Sequence, residues 1–208
     1  MGKLAFLFPG QGAQVVGMGK DFFDAYDLAK KRFAEADEAL GYSISKLCFE
    51  GPADQLQLTE HTQPAILTVS VIAAELLREE GIAPEIAAGH SLGEYSALVL
   101  AGVLSFQDAV ALVHKRGAYM QEAVPVGEGA MAAVIGLDDD TIVAVCAEAS
   151  AAGAVQAVNF NCPGQTVIAG TVKGVEQAVK LLQEKGAKKA VILPVSAPFH
   201  STLMEPAA

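Results

Sequence analysis

Ile86-Ala87-Ala88-Gly89-His90-Ser91-Leu92-Gly93-Glu94 joins a short apolar run to a glycine-bounded serine, and helix-forming residues continue to Leu100. Ile86–Ala88 reads as a strand and Glu94–Leu100 as a helix. Between them Gly89-His90-Ser91-Leu92-Gly93 fits the nucleophile-elbow pattern, a serine on a tight strand-to-helix turn. Glycines two before and two after the serine let the backbone reverse sharply, so its oxygen points out of the sheet edge. The Leu92 N–H, at the start of the following helix, can then donate to an oxyanion. A strand feeding a helix in this way points to an α/β layer with a parallel sheet.

The flanks extend that pattern. Lys3–Phe8 is apolar enough for a buried strand, and Pro9-Gly10-Gln11-Gly12 breaks it. A helix follows from Asp27, with Phe33, Ala36 and Leu40 on one face and Gly41 as its stop. A stronger helix covers about Gln63 to Glu80, with an inward stripe of Ile66, Val69, Ala73, Leu76 and Leu77 before Gly81. Ser105 and Asp108 form a capping box for a helix running to about Ala123. Near Pro125-Val126-Gly127 the pattern changes. Strands at Ala130–Ile135, Ala154–Phe160, Thr166–Ala169 and Ala190–Leu193 alternate with helices at Asp139–Ala149 and Val172–Lys185, with a turn at Asn161-Cys162-Pro163-Gly164. That β-α-β-β-α-β order is ferredoxin-like. The expected architecture is therefore a hydrolase-like parallel-sheet domain, residues 1–126 and 194–208, with an inserted ferredoxin-like subdomain, residues 127–193.

Composition narrows the function classes. With 208 residues, 52% hydrophobic and 18% charged, the chain is neither disordered nor of low complexity. A chain this long buries about 70% of its unfolded surface. Its apolar runs fall short of the ~20 residues a membrane span needs, and the N-terminal run is too short for a signal peptide. A net charge of −10 argues against nucleic acid as partner. Cys48, Cys146 and Cys162 have neither disulfide-framework nor metal-ligand spacing, which indicates small core or loop residues, no metal and a reducing cytoplasm. One basic segment stands out: Lys173, Lys180, Lys185, Lys188 and Lys189 against Glu176 and Glu184. It is either a solvated helix face or a dock for an acidic partner.

A serine nucleophile needs a base. Of the four histidines, His90 lies within the turn, while His61 and His114 read as surface or satisfied core residues. His200 follows Pro194-Val195-Ser196-Ala197-Pro198-Phe199, a loop able to return to the sheet edge, and is the best candidate. No clear third acid occurs in the Ser-acid-His order of the α/β-hydrolases, which counts against an ordinary esterase. Arg116 shares a helix face with Leu112, Val113 and Met120, so its guanidinium faces inward and must be paired. Two partners fit: a core carboxylate such as Glu94, or the carboxylate of a substrate held by a bidentate fork.

Four motifs together resemble the malonyl-CoA:acyl carrier protein transacylases and the acyltransferase domains of fatty acid and polyketide synthases. They are Pro9-Gly10-Gln11-Gly12-Ala13-Gln14, Gly89-His90-Ser91-Leu92-Gly93-Glu94, Lys115-Arg116-Gly117 and Ala197-Pro198-Phe199-His200-Ser201. The resemblance implies ping-pong transfer in fatty acid biosynthesis. Ser91 takes the malonyl group from malonyl-CoA with help from His200, and the N–H groups of Gln11 and Leu92 hold the oxyanion. Arg116 grips the free carboxylate, and an acidic acyl carrier protein collects the group. It also implies no metal or redox cofactor, coenzyme A entering only as the substrate thioester, no membrane partner, a monomer, and a malonyl-selecting role for the bulk of Phe199. Members of the family continue well beyond the histidine, whereas this chain stops at Glu205-Pro206-Ala207-Ala208, the expectation for a fragment. Two other classes stay open: a serine thioesterase or esterase, and a polyketide-pathway acyltransferase fragment that only binds carrier protein.

Overall fold

The computed structural model describes residues 2–125, 127–193, 195 and 197–208. The chain falls into two compact units, Met1–Ala118 and Tyr119–Ala208. The expected boundaries at 126 and 194, and Pro194 and Ser196 of the loop before His200, lie outside the described residues.

In the first unit β1 (Ala5–Phe8) precedes five helices: α1 (Lys20–Ala25), α2 (Asp27–Leu40), α3 (Ile44–Glu50), α4 (Ala53–Leu56) and α5 (Thr59–Glu79). Then come β2 (Ile86–Gly89), α6 (Gly93–Leu100) and α7 (Phe106–Ala123), the last continuing past Ala118. β1 and β2 pair in parallel, Ala5 with Ile86 through Phe8 with Gly89. Their carboxyl ends therefore release two loops at one edge, Pro9-Gly10-Gln11 and His90-Ser91-Leu92. That is where open parallel sheets place their ligands. The core joins Phe33, Ile44, Ile66, Ile72, Leu92 and Val113 around α5. Ser105 caps α7 as expected, accepting from the Asp108 N–H at 3.1 Å.

The second unit holds β3 (Gly129–Ile135), α8 (Asp139–Ala149), β4 (Val155–Cys162), β5 (Gln165–Thr171), α9 (Val172–Glu184), β6 (Lys189–Ile192) and a short 3-10 helix, Thr202–Ala207. The sheet order β4-β5-β3-β6 is antiparallel throughout, the ferredoxin-like arrangement. Side-chain caps set both helix starts: Asp138 accepts from the Thr141 N–H, and Thr171 from the Gly174 N–H. Ile142, Val145, Val175, Ala178 and Leu182 cover one sheet face. Ala197, Phe199 and Met204 cluster with Met120, Val124, Met131 and Val167.

Three expectations are corrected. Helix α5 begins at Thr59, one turn before the expected Gln63, and carries Pro64 inside it. Its expected stripe holds only in part: Ile66 and Leu76 are buried, but Leu77 is 41% exposed and Val69 and Ala73 are half-buried, whereas Ala65, Leu67, Val71 and Ile72 are buried as well. Packing by neighbours on several sides overrides a one-face periodicity. Leu77, Val69 and Ala73 instead line an apolar groove of about 460 Å³ along β1. The turn expected at 161–164 narrows to Pro163-Gly164, since Cys162 still pairs with Gln165 and Gly164 takes φ 80°.

Candidate active site

Ser91 has φ 52° and His200 φ 62°, and they are the two described non-glycine residues with positive φ. Such a conformation costs an L-residue about 1–3 kcal/mol and collects at functional sites. At the elbow the flanking glycines are a steric requirement. A Cβ on Gly89 would overlap the Gly93–Glu94 peptide, and one on Gly93 would overlap the Phe8 carbonyl. Leu92 pins the turn from below: it is 1% exposed and sits in the first unit's core. Burying such a side chain contributes about 1.5–3 kcal/mol, the scale needed to hold the strained serine. Leu92 is also the N-cap of α6, and the first-turn N–H groups of Gly93, Glu94 and Tyr95 donate back to the carbonyls of His90, Ser91 and Leu92 at 3.0, 3.2 and 3.0 Å, which tightens the turn.

Two further expected site residues, Arg116 and Gln11, stand beside Ser91 and Leu92 at this elbow. Arg116 Nη2 donates to Ser91 Oγ at 3.2 Å, and its Nη1 donates to Gln63 Oε1 at 2.7 Å. The guanidinium also lies 5.5 Å from the centre of the Tyr95 ring. Burial pulls the Arg116 guanidinium below its ordinary value, while Tyr95 and Glu94 act the other way. It stays a cation, as arginine does in proteins. Among the described residues no carboxylate lies within ion-pair distance of it, so the core ion pair with Glu94 does not form. Of its expected face-mates, Val113 and Met120 are buried, but Leu112 is 44% exposed. Gln11 stands on the loop after β1, its Nε2 donating to Thr59 Oγ1 at 3.3 Å. A Cβ on neighbouring Gly10 would lie 2.6 Å from the His90 carbonyl, so the two loops run in contact.

His200 belongs to the second unit, and there its loop is well held. The Phe199 N–H donates to the Ala197 carbonyl at 3.0 Å, and Ser201 Oγ to that of Pro198 at 2.7 Å. Ala197, Pro198, Phe199 and Ser201 are buried, and His200 alone of the five is exposed. The other histidines are satisfied as expected: His61 Nδ1 meets the Gln55 carbonyl and His114 Nδ1 the Glu60 carbonyl, each at 2.9 Å. Gln63 was missed by sequence reading. An amide at the head of an apolar helical run is the signal that could have found it, and in the fold it is 1% exposed. Among the described residues no cluster of side chains suits a metal ion, and no helix is long and apolar enough to cross a membrane.

Residues 5–208 match the family model described as the acyl transferase domain. A malonyl CoA-acyl carrier protein transacylase of Bacillus subtilis (strain 168) is 56% identical over the whole chain, which spans 66% of that protein. One from Escherichia coli (strain K12) is 54% identical, with 68% of its length covered. The chain thus spans about two thirds of the length of these relatives. Among solved structures, an acyl-carrier-protein S-malonyltransferase of Burkholderia pseudomallei superimposes with a TM-score of 0.94 at 56% identity, covering 99% of this chain and 67% of that one. A malonyl-transacylase in complex with its type II PKS acyl-carrier protein gives 0.96 at 48% identity, covering 99% and 67%. Elbow, inward arginine, histidine loop and full-length similarity agree: the chain belongs to the acyl transferase domain family, among the malonyl CoA-acyl carrier protein transacylases.

Proposed function

We propose that this chain carries the acyl-transfer site of a malonyl-CoA:acyl carrier protein S-malonyltransferase of fatty acid biosynthesis. The observation that carries the reading is the Arg116 guanidinium 3.2 Å from Ser91 Oγ, a cation beside a strained nucleophile. An acyl group that reacts at Ser91 and ends in a carboxylate meets that cation at once. The short span suits a diacid with a single methylene between its carboxyl carbons. In the first half-reaction Ser91 Oγ bonds to the thioester carbon while its proton passes to the His200 imidazole. The N–H groups of Gln11 and Leu92 hold the oxyanion. The carbon–sulfur bond then breaks, and the imidazolium protonates the departing coenzyme A thiolate. The second half-reaction reverses these steps with the phosphopantetheine thiol of the carrier protein, whose proton His200 takes.

The same reading assigns residues 1–126 and 194–208 to the catalytic subdomain and 127–193 to the inserted one. It requires no metal or redox cofactor, and it places a monomeric protein in the cytoplasm. Incubation with radiolabelled malonyl-CoA tests it. A stable label on Ser91 that carrier protein discharges is the expected result. Rapid release as free malonate would instead mark a hydrolase, and absence of label a carrier-binding module.

A further inference from the structure

Pro64 leaves a vacancy in α5 that a residue of α7 fills. In a regular helix the N–H of residue 64 would donate to the carbonyl of Glu60, but proline has no N–H to give. The Glu60 carbonyl is instead met by His114 Nδ1 at 2.9 Å, a contact spanning 54 residues of sequence. Since a carbonyl only accepts, that nitrogen carries the proton. Three residues along the same face of α7, Gly117 brings the two backbones together. A Cβ there would lie 2.6 Å from both the Glu60 Cα and the Thr59 carbonyl oxygen. Between these two anchors stands Arg116, and three residues beyond Glu60 on α5 stands Gln63, its partner at 2.7 Å. The crossing of α5 and α7 thus has two polar rungs, His114 to Glu60 and Arg116 to Gln63, beside a point where only glycine fits.

We infer that His114 is a positioning residue for Arg116: by occupying the carbonyl that Pro64 leaves without its helical donor, it fixes α7 on the first turns of α5 and so sets where the guanidinium stands relative to Ser91. Gln63 completes the device by orienting the guanidinium itself. His114 makes no contact with the nucleophile, and its effect on chemistry passes through Arg116. The consequence is selective. A guanidinium displaced from its place penalises an acyl group that ends in a carboxylate, and leaves one without a carboxylate nearly untouched. Loss of fold would slow both.

The inference rests on the proposed malonyl transfer only for its kinetic readout, so a second readout independent of activity goes with it. Three full-length variants are compared with the parent chain. His114→Ala removes the donor. His114→Asn places an amide N–H where Nδ1 stood, and His114→Gln places one where it cannot reach the Glu60 carbonyl. In pre-steady-state acylation, His114→Ala and His114→Gln are expected to lose about tenfold in malonyl-CoA kcat/KM with acetyl-CoA acylation kept, and His114→Asn to recover most of the loss. In nitrogen-15 NMR of the Arg116 side chain, rotation of the guanidinium is slow in the parent chain and His114→Asn, and fast in His114→Ala. Equal losses for both thioesters, no recovery in His114→Asn, or an unchanged Arg116 signal in His114→Ala would overturn the inference. A parent chain that forms no seryl-malonyl adduct would defeat the functional proposal alone, because the NMR comparison still decides whether His114 holds Arg116.

Discussion

Replacing Arg116 with alanine tests whether the cation beside Ser91 serves the substrate or the fold. The side chain is half-buried and bonded to Gln63 and Ser91, with no carboxylate of the described residues paired to it. Its charge is thus available to an incoming anion. Without it, the malonyl carboxylate enters a partly desolvated site unpaired. Stranding one member of a buried ion pair costs about 3–5 kcal/mol, and partial burial here selects the lower end. About 3 kcal/mol corresponds to a fall of roughly 150-fold in the acylation rate. Acetyl-CoA has no carboxylate to strand, so its acylation should hold or improve. Arg116→Lys should fall between, since one ammonium cannot serve Gln63 and the substrate with the geometry of a planar fork. Rapid-quench measurement of seryl-acyl formation from both thioesters gives the comparison directly. Equal losses for malonyl and acetyl groups would refute the reasoning and make Arg116 a structural residue.

Further expectations follow from the same geometry. Ser91→Ala should abolish covalent acyl label, and label persisting in that variant would remove Ser91 as the nucleophile. Lys173, Lys180, Lys185, Lys188 and Lys189 are all exposed, and none forms an ion pair among the described residues. Reversing Lys185, Lys188 and Lys189 to Glu should raise the KM for an acidic carrier protein and flatten its salt dependence, with malonyl-CoA acylation unchanged. Unaltered kinetics with carrier protein at low salt would show a merely solvated face. Burial pushes the Cys48 thiol up to about 12, with Asp37 adding to the effect, and the Cys146 thiol to about 11. Exposed Cys162 should therefore be the site that iodoacetamide labels in the native protein at pH 8, and labelling of Cys48 before unfolding would contradict this. The unfolded chain gives up these two protons near its ordinary value of 9.0 and the folded chain only at higher pH. Stability should accordingly fall as pH rises from about 9 to 12. A urea midpoint that drops from pH 8 to pH 10, and drops less in a Cys48→Val, Cys146→Val variant, is the expected signature.

Much of this molecule is written in local chemistry. Asp138 and Thr171 stop the chain from fraying at the starts of α8 and α9, and an N-cap can be recognised within four residues of itself. The elbow is equally local: Gly89 and Gly93 are needed because the turn folds back on its own peptide and on Phe8, so the motif foretold both the geometry and the nucleophile. Apolar spacing placed β3 to β6 and their helices closely enough to give the ferredoxin-like order. Short α1, α3 and α4 escaped notice, for helices of four to seven residues hold together through the neighbours that cover them rather than through their own periodicity.

What tertiary structure alone decided is which long-range partner each ambiguous side chain meets. By sequence Arg116 was open to a core carboxylate such as Glu94 or to a substrate, and only folding brought Gln63, 53 residues away, to its Nη1. Leu77 and Leu112 look inward by spacing yet face outward, because burial depends on what packs against a helix and not on the helix. The helix start expected at Gln63 lies one turn late, and only the fold shows His114 donating to the Glu60 carbonyl that Pro64 leaves without its helical donor. Sequence patterns report a residue's own preferences, whereas a polar contact is a property of two residues, and the chain must fold before the second is known.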